Sequence, residues 1–304
     1  MAWRLHLTDR IVRRLDILSG KPSLLAAWTS SDRVYTMELH NAARLTDRQI
    51  DSPPTRAGER WLNFVAELHA SNDVFLPVVR TPLATLYQVP DGSLRVIRVS
   101  ETELYLVNGT TETRLDTGGA RIRALALDAG MIAALDTAGS LHLYRQAIHT
   151  ATVETDLHLT EEMQPHLALI EGGSAVFAAD TEQIVRLDGD GRELKRLSAG
   201  YTIGALACSP DGSFLATGDL DSNMIRVYDG NSLMPTHQRF ALDLMADAKK
   251  TQSISSALAA NTAVGTLAIT NKGVIAFAMS GMVCATNLTR MIAMPANRKV
   301  VVES

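Results

Sequence analysis

The chain has 304 residues, of which 46% are hydrophobic and 20% charged, with a formal net charge of −4 at neutral pH. That much apolar material excludes a chain that is disordered throughout, and the charge lacks the basic excess of a nucleic-acid-binding surface. No apolar run reaches the ~18 residues of a membrane helix, so membrane insertion is not expected.

The first stretch, MAWRLHLTDRIVRRLDIL, alternates charged and apolar residues and has no signal-peptide core. Within it AWRLHLT has the period-two pattern of a strand, and it is a candidate to complete the last repeat of the chain, leaving no sheet edge open. Residues 14–49 follow as RLDILSG, KPSLLAAWTSS, DRVYTMEL and ARLTDRQ, four strand-like runs separated by turn residues.

Residues 51–80 are ambiguous. After the loop SPPTRAG, Trp61, Phe64, Val65 and Leu68 fall at three- and four-residue spacing, as on an amphipathic helix. The same residues also read as a strand followed by DVFLPVVR, and the repeat pattern favours strands. Residues 83–119 are regular again: LATLYQV, the turn PDG, SLRVIRVS, ELYLVNG and TETRLDTGG. Two more copies follow, RALALDAGMIAALDTAGSLHLY and HLALIEGGSAVFAADTEQIVRL, whose second runs end at Asp136 and Asp180.

The most informative stretch is residues 203–229, IGALACSPDGSFLATGDLDSNMIRVYD. Ser209-Pro210-Asp211-Gly212 closes the first run as a tight reversal, because Pro presets φ and Gly supplies positive φ. Phe214 to Thr217 ends at Gly218-Asp219, Met224 to Tyr228 alternates, and Thr236 to Leu242 provides a fourth strand. Four strands in about 40 residues is the blade unit of a propeller. Pro90-Asp91-Gly92 and Pro210-Asp211-Gly212 lie 120 residues apart, and the blade ends at Asp136, Asp180 and Asp219 or Asp221 are spaced by 44 and about 40.

The SPDG turn, the small-residue second strand ending in Gly-Asp, and the pair Tyr228-Asp229 resemble a WD repeat. Two features depart from that pattern: no Gly-His dipeptide precedes the blade, and Tyr-Asp stands in place of Trp-Asp. The resemblance implies an all-β fold, a single β-propeller of four-stranded antiparallel blades spanning residues 1–304. Seven blades are favoured if residues 51–80 supply one, with six as the alternative.

The rhythm breaks at 241–264, ALDLMADAKKTQSISSALAANTAV, a polar, small-residue-rich insertion expected to form a loop or short helix projecting from a rim. GTLAIT, GVIAFAMS and GMVCATNL resume as strands, after which RMIAMP and KVVVES compete for the final position. Met279, Met282, Met291 and Met294 near this end read as core filling.

Little in the chain carries chemistry. The histidines His6, His40, His69, His142, His149, His158, His166 and His237 form no spaced set with cysteine or carboxylate of the zinc-binding kind. No nucleophile elbow, Walker loop or dinucleotide fingerprint is present, nor are the repeated boxes of sialidase-like or quinoprotein propellers. Asp136, Asp180, Asp219 and Asp221 suggest a carboxylate ring, but aspartate at a strand end ordinarily bonds its own following backbone. Cys208 and Cys284 lie in separate apolar runs and read as buried free thiols, which fits a reducing, cytoplasmic setting. Asn108-Gly109-Thr110 and Asn287-Leu288-Thr289 read as a turn and a chance match rather than as glycosylation sites.

Charge is uneven: residues 150–195 are rich in Asp and Glu, and residues 1–60 are mildly basic. Such asymmetry orients a partner or drives self-association, or simply marks solvated faces. The reading is a non-catalytic protein–protein interaction scaffold, a subunit of a larger intracellular assembly, with no cofactor. Leu242, Leu244, Met245, Lys249 and Lys250 of the insertion are the candidate contact residues. The alternative is a propeller enzyme or small-ligand or calcium binder using the central channel.

Overall fold

The computed structural model describes residues 2–7, 11–18, 23–29, 33–43, 45–49, 55–57, 59–60, 86–88, 94–128, 131–159, 165–250, 263–279 and 281–294. In chain order its strands begin with β1 (Trp3–His6), β2 (Val12–Leu18), β3 (Leu24–Thr29), β4 (Arg33–Glu38) and β5 (Thr46–Gln49). Next come β6 (Leu86–Gln88), β7 (Leu94–Arg98), β8 (Leu104–Asn108), β9 (Thr111–Leu115), β10 (Ile122–Asp128), β11 (Met131–Asp136), β12 (Ser140–Arg145) and β13 (Ile148–Glu154). They continue with β14 (His166–Leu169), β15 (Ala175–Ala179), β16 (Gln183–Asp188), β17 (Glu193–Ser198), β18 (Ile203–Cys208), β19 (Phe214–Asp219), β20 (Met224–Asp229) and β21 (Pro235–Phe240). A helix, α1 (Ala241–Ala246), precedes β22 (Lys249–Lys250), β23 (Thr266–Ile269), β24 (Val274–Met279), β25 (Met282–Asn287) and β26 (Ile292–Ala293).

These strands form six sheets among the described residues, each with four antiparallel strands: five are meanders of consecutive strands, and the last is β23–β25 closed by β1. The second strand of a sheet is short, small-residue-rich and buried along most of its length, as in MIAALD of β11 and AVFAA of β15. Apolar faces on both sides explain the near-continuous hydrophobic runs. Fourth strands are polar and largely exposed, as in β13 and β17.

Two compact units are present, Gln49–Ile203 and Met1–Arg48 with Gly204–Ser304. In the first, Leu135, Leu141, Leu143, Val176, Val185 and Leu187 share one core. Val96, Leu104, Ile122, Ile132 and Tyr144 form another, and the Tyr144 hydroxyl donates to the Asp116 carbonyl at 2.7 Å. In the second unit, Ile225, Val227, Leu244, Met245, Phe277 and Cys284 share a core, and Trp3, Leu5, Leu25, Met37 and Val283 a second.

The four-strand units expected at 14–49, 83–119, 203–242 and from the two intervening copies are all present. AWRLHLT completes the last sheet as expected: β1 pairs antiparallel with β25, with Trp3 opposite Ala285 and His6 opposite Met282. Three details differ. β21 stops at Phe240, because Ala241 begins a helical turn whose amide donates to the Asn223 carbonyl at 2.9 Å. RMIAMP does not finish the last sheet, since β1 already occupies that edge; its Ile292 and Ala293 join β21 instead. At Glu59 and Arg60 the backbone is helical, held by a bond from the Glu59 amide to the Thr55 carbonyl at 3.0 Å. The remainder of the strands expected at 61–80, on which a seventh blade depends, lies outside the described residues, as does KVVVES.

Candidate interaction surface

Two sheets grow beyond four strands, and both lie in the unit of Met1–Arg48 with Gly204–Ser304. β26 adds to β21, with His237 opposite Ala293 and Gln238 opposite Ile292, and the Met294 amide donates to the Thr236 carbonyl at 2.7 Å. β22 adds in parallel to β1, with Trp3 opposite Lys249 and Arg4 opposite Lys250. Between β21 and β22 runs α1, six residues long, with a buried face of Ala241, Leu244 and Met245.

Apolar side chains gather in the open here. Ile292 is 64% exposed, Phe240 45% and Leu242 37%. Side chains two apart on a strand share a face, so Phe240 lies on the same face as Gln238 and its partner Ile292. Leu242 follows in the first turn of the helix. The other exposed large hydrophobics among the described residues are Leu45 and Met234 in this unit, and Ile148 on β13 and Leu194 on β17 in the other.

The insertion residues divide accordingly. Leu242 is exposed. Leu244 and Met245 are at 0% and 2% exposure and pack in the core with Val264, Phe277 and Cys284. They are withdrawn from the surface because the helical spacing that exposes Leu242 turns positions 244 and 245 inward. Lys249 and Lys250 form β22; beyond that strand, residues 251–262 lie outside the described residues. Two exposed residues, Phe240 and Ile292, escape sequence reasoning. Phe240 passes for an ordinary strand residue, and Ile292 belongs to a run whose pairing partner lies in a different sheet.

The aspartates resolve as turn anchors. Asp136 accepts the Ala138 and Ser140 amides at 2.8 and 2.9 Å and meets His142 Nε2 at 2.9 Å. Asp180 accepts the Glu182 and Gln183 amides, and also the His158 amide at 2.9 Å. Asp219 accepts the Asp221 and Ser222 amides, the Ser222 hydroxyl at 2.5 Å and Arg226 Nη1 at 2.9 Å. All three are buried, whereas Asp221 is exposed and lends only its amide. Burial opposes the charge of Asp219, but the Ser222, Arg226 and Asp221 donors outweigh it and hold the carboxyl below its ordinary range. The SPDG turn closes as its sequence dictates: Gly212 takes φ of 71°, and Asp211 accepts from the Ser213 amide and both flanking serine hydroxyls.

Met279, Met282 and Met291 are buried, in keeping with core filling. Both cysteines are free; burial pushes the Cys284 thiol up to about 12 against the pull of Arg4, so it stays protonated and unreactive. Among the described residues no group of three or more His, Cys, Asp or Glu is arranged to hold a metal ion, and no helix is long and apolar enough to cross a membrane.

No family model and no curated protein matches the sequence. Among solved structures, the β-propeller domain of Cps50 (Swd1) from Myceliophteria thermophila is similar in fold, with a TM-score of 0.60 at 12% identity over 92% of this chain and 97% of that one. At that identity the likeness concerns fold alone. With the Asp-anchored turns and four-strand meanders, the chain is an all-β, WD-repeat-like propeller with six blades among its described residues.

Proposed function

We propose that this protein is a non-catalytic scaffold that binds other proteins as one subunit of a cytoplasmic assembly. The observation that carries the reading is the exposed apolar set Phe240, Leu242 and Ile292, drawn together where β21, α1 and β26 meet. Aromatic and large aliphatic side chains grouped on a rigid sheet edge are the usual anchors of an interface, whereas a monomer's surface scatters them. Propellers host unrelated activities, so the fold by itself does not decide the function. The turn aspartates support a structural role, since their carboxylates are already engaged by backbone and side-chain donors.

The test is capture from the native host with the tagged wild type and with a Phe240→Ser, Leu242→Ser, Ile292→Ser variant, each partner being quantified by mass spectrometry. A stoichiometric partner that the variant loses while melting within about 2 °C of wild type supports the reading. Equal capture by a correctly folded variant rules this surface out.

A further inference from the structure

Two short segments cross in opposite directions between the sheets of β18–β21 and β23–β25. One, α1 with β22, leaves the end of β21 and runs to the outer side of β1. The other, a 3-10 turn at Leu288–Arg290 followed by β26, leaves β25 and runs back to β21. Arg239 joins them. Its Nη1 donates to the Arg290 carbonyl at 2.5 Å and its Nη2 to Asp247 Oδ2 at 2.5 Å, while Arg290 Nη1 lies 3.5 Å from the Asp247 carbonyl.

Asp247 is the C-cap of α1, two residues before β22. On the inner side of the same segment, Arg4 of β1 donates from Nη1 to the Met245 carbonyl at 3.0 Å. Ala2, Leu244 and Met245 share one apolar cluster. β1 is therefore enclosed: β25 on one edge, β22 on the other, and its arginine tied to the end of the helix. No turn links β1 to either neighbour, so its retention rests on tertiary contacts, and this lock adds to the β25 ladder and the burial of Trp3.

We propose that residues 241–250 act as a clasp, with Arg239 as its hub, that sets whether the N-terminal strand stays docked in the last sheet. Because the clasp begins beside Phe240 and Leu242, a partner that binds this surface only in its clasped form also holds β1 in place, and a partner that needs it open releases β1. The two equilibria are linked by the same factor in both directions. This coupling rests on the interaction reading above; the clasp itself does not.

Hydrogen exchange on the free, full-length protein tests it. In Asp247→Ala and in Arg239→Met, amides 3–6 exchange about 3- to 10-fold faster than in wild type, the range expected for losing a part-exposed charge-assisted contact. Amides of β2–β4 are unchanged. The double variant exchanges no faster than Arg239→Met alone, since that substitution already removes the link that Asp247→Ala breaks. Unchanged rates at 3–6, a rise spread equally over β2–β4, or additive effects would each overturn the clasp. Those results leave the capture experiment untouched, and a loss of capture in the surface variant does not alter them.

Discussion

The sheet of β14–β17 and the sheet closed by β1 share a core of four antiparallel strands but are assembled in opposite ways. The first comes from one uninterrupted run, residues 166–198, with a tight turn at each reversal. The second gathers residues 3–6, 249–250 and 266–287. In the contiguous sheet, register is set by local chemistry: Asp180 fixes the β15–β16 turn through the Glu182 and Gln183 amides. In the closing sheet nothing local holds β1, and backbone ladders and side chains must do so over separations of tens to hundreds of residues. Trp3 donates its indole N–H to the Leu39 carbonyl at 2.7 Å, and Arg4 reaches Met245. Closing such long loops carries an entropy cost that only burial offsets, so the closing sheet is expected to open first.

Trp3→Ala gives the largest expected effect. The side chain is 3% exposed in the core of β1–β4 and β23–β25, and its loss removes both a large apolar volume and a buried hydrogen bond. Truncation of that kind costs about 4 kcal/mol in urea unfolding, and hydrogen exchange would report faster opening of β1 first. A loss below about 1 kcal/mol would mean that β1 does not close the sheet energetically.

Asp180→Ala is the counterpart in the contiguous sheet. Three backbone amides lose their acceptor, two of them within the turn and one at His158. A cost of about 2 kcal/mol is expected, with exchange accelerated in β14–β17 and left unchanged at residues 3–6. Acceleration at residues 3–6 as well would erase the distinction between the two sheets.

That distinction also governs what could be read in the sequence. Strand order within a contiguous sheet shows directly in the alternation of apolar runs with SPDG, Gly-Asp or Asp-Gly turns, because the physics is local. The closing strand was legible too, since an alternating AWRLHLT with no neighbour of its own must pair somewhere. The five-strand extensions were not. Two-residue ladders such as Gln238 with Ile292 leave no periodic trace, and RMIAMP suits either sheet equally well. The proposed contact surface was half legible for the same reason. An insertion at 241–264 announces itself by composition, but which of Leu242, Leu244 and Met245 faces outward is decided by where the helix begins, and Phe240 as its N-cap has no capping side chain to mark that start.

Acid should separate the two kinds of sheet more gently. His166, at the start of β14, is held at about 4 because burial disfavours its charged form, a hydrogen bond with the Ile203 backbone pulling weakly the other way. The unfolded chain takes up this proton near 6.5, whereas the native sheet refuses it until about 4. The stabilisation is thus fully present above pH 6.5 and lost as pH falls from 6.5 to 4. His237 on β21 is shifted in the same direction by burial. Urea midpoints measured across that window should fall for wild type and fall less steeply for His166→Gln. Parallel curves would show that His166 is not a source of the acid sensitivity.

The smallest stability effects belong to the exposed residues proposed as the contact surface. Leu242→Ser and Ile292→Ser remove side chains already 37% and 64% exposed, so each should shift unfolding by less than about 0.5 kcal/mol. Leu244→Ala, two residues from Leu242 but fully buried, should cost about 3 kcal/mol and loosen the hold on β1 as well. Comparing the three variants by urea unfolding and by capture separates the helix's two roles. If Leu242→Ser and Ile292→Ser weaken capture at unchanged stability while Leu244→Ala acts through the fold, one face of α1 serves the partner and the other serves the closing sheet. If Leu242→Ser destabilises as much as Leu244→Ala, the outer face is packed in solution and the contact surface must be sought elsewhere on the propeller.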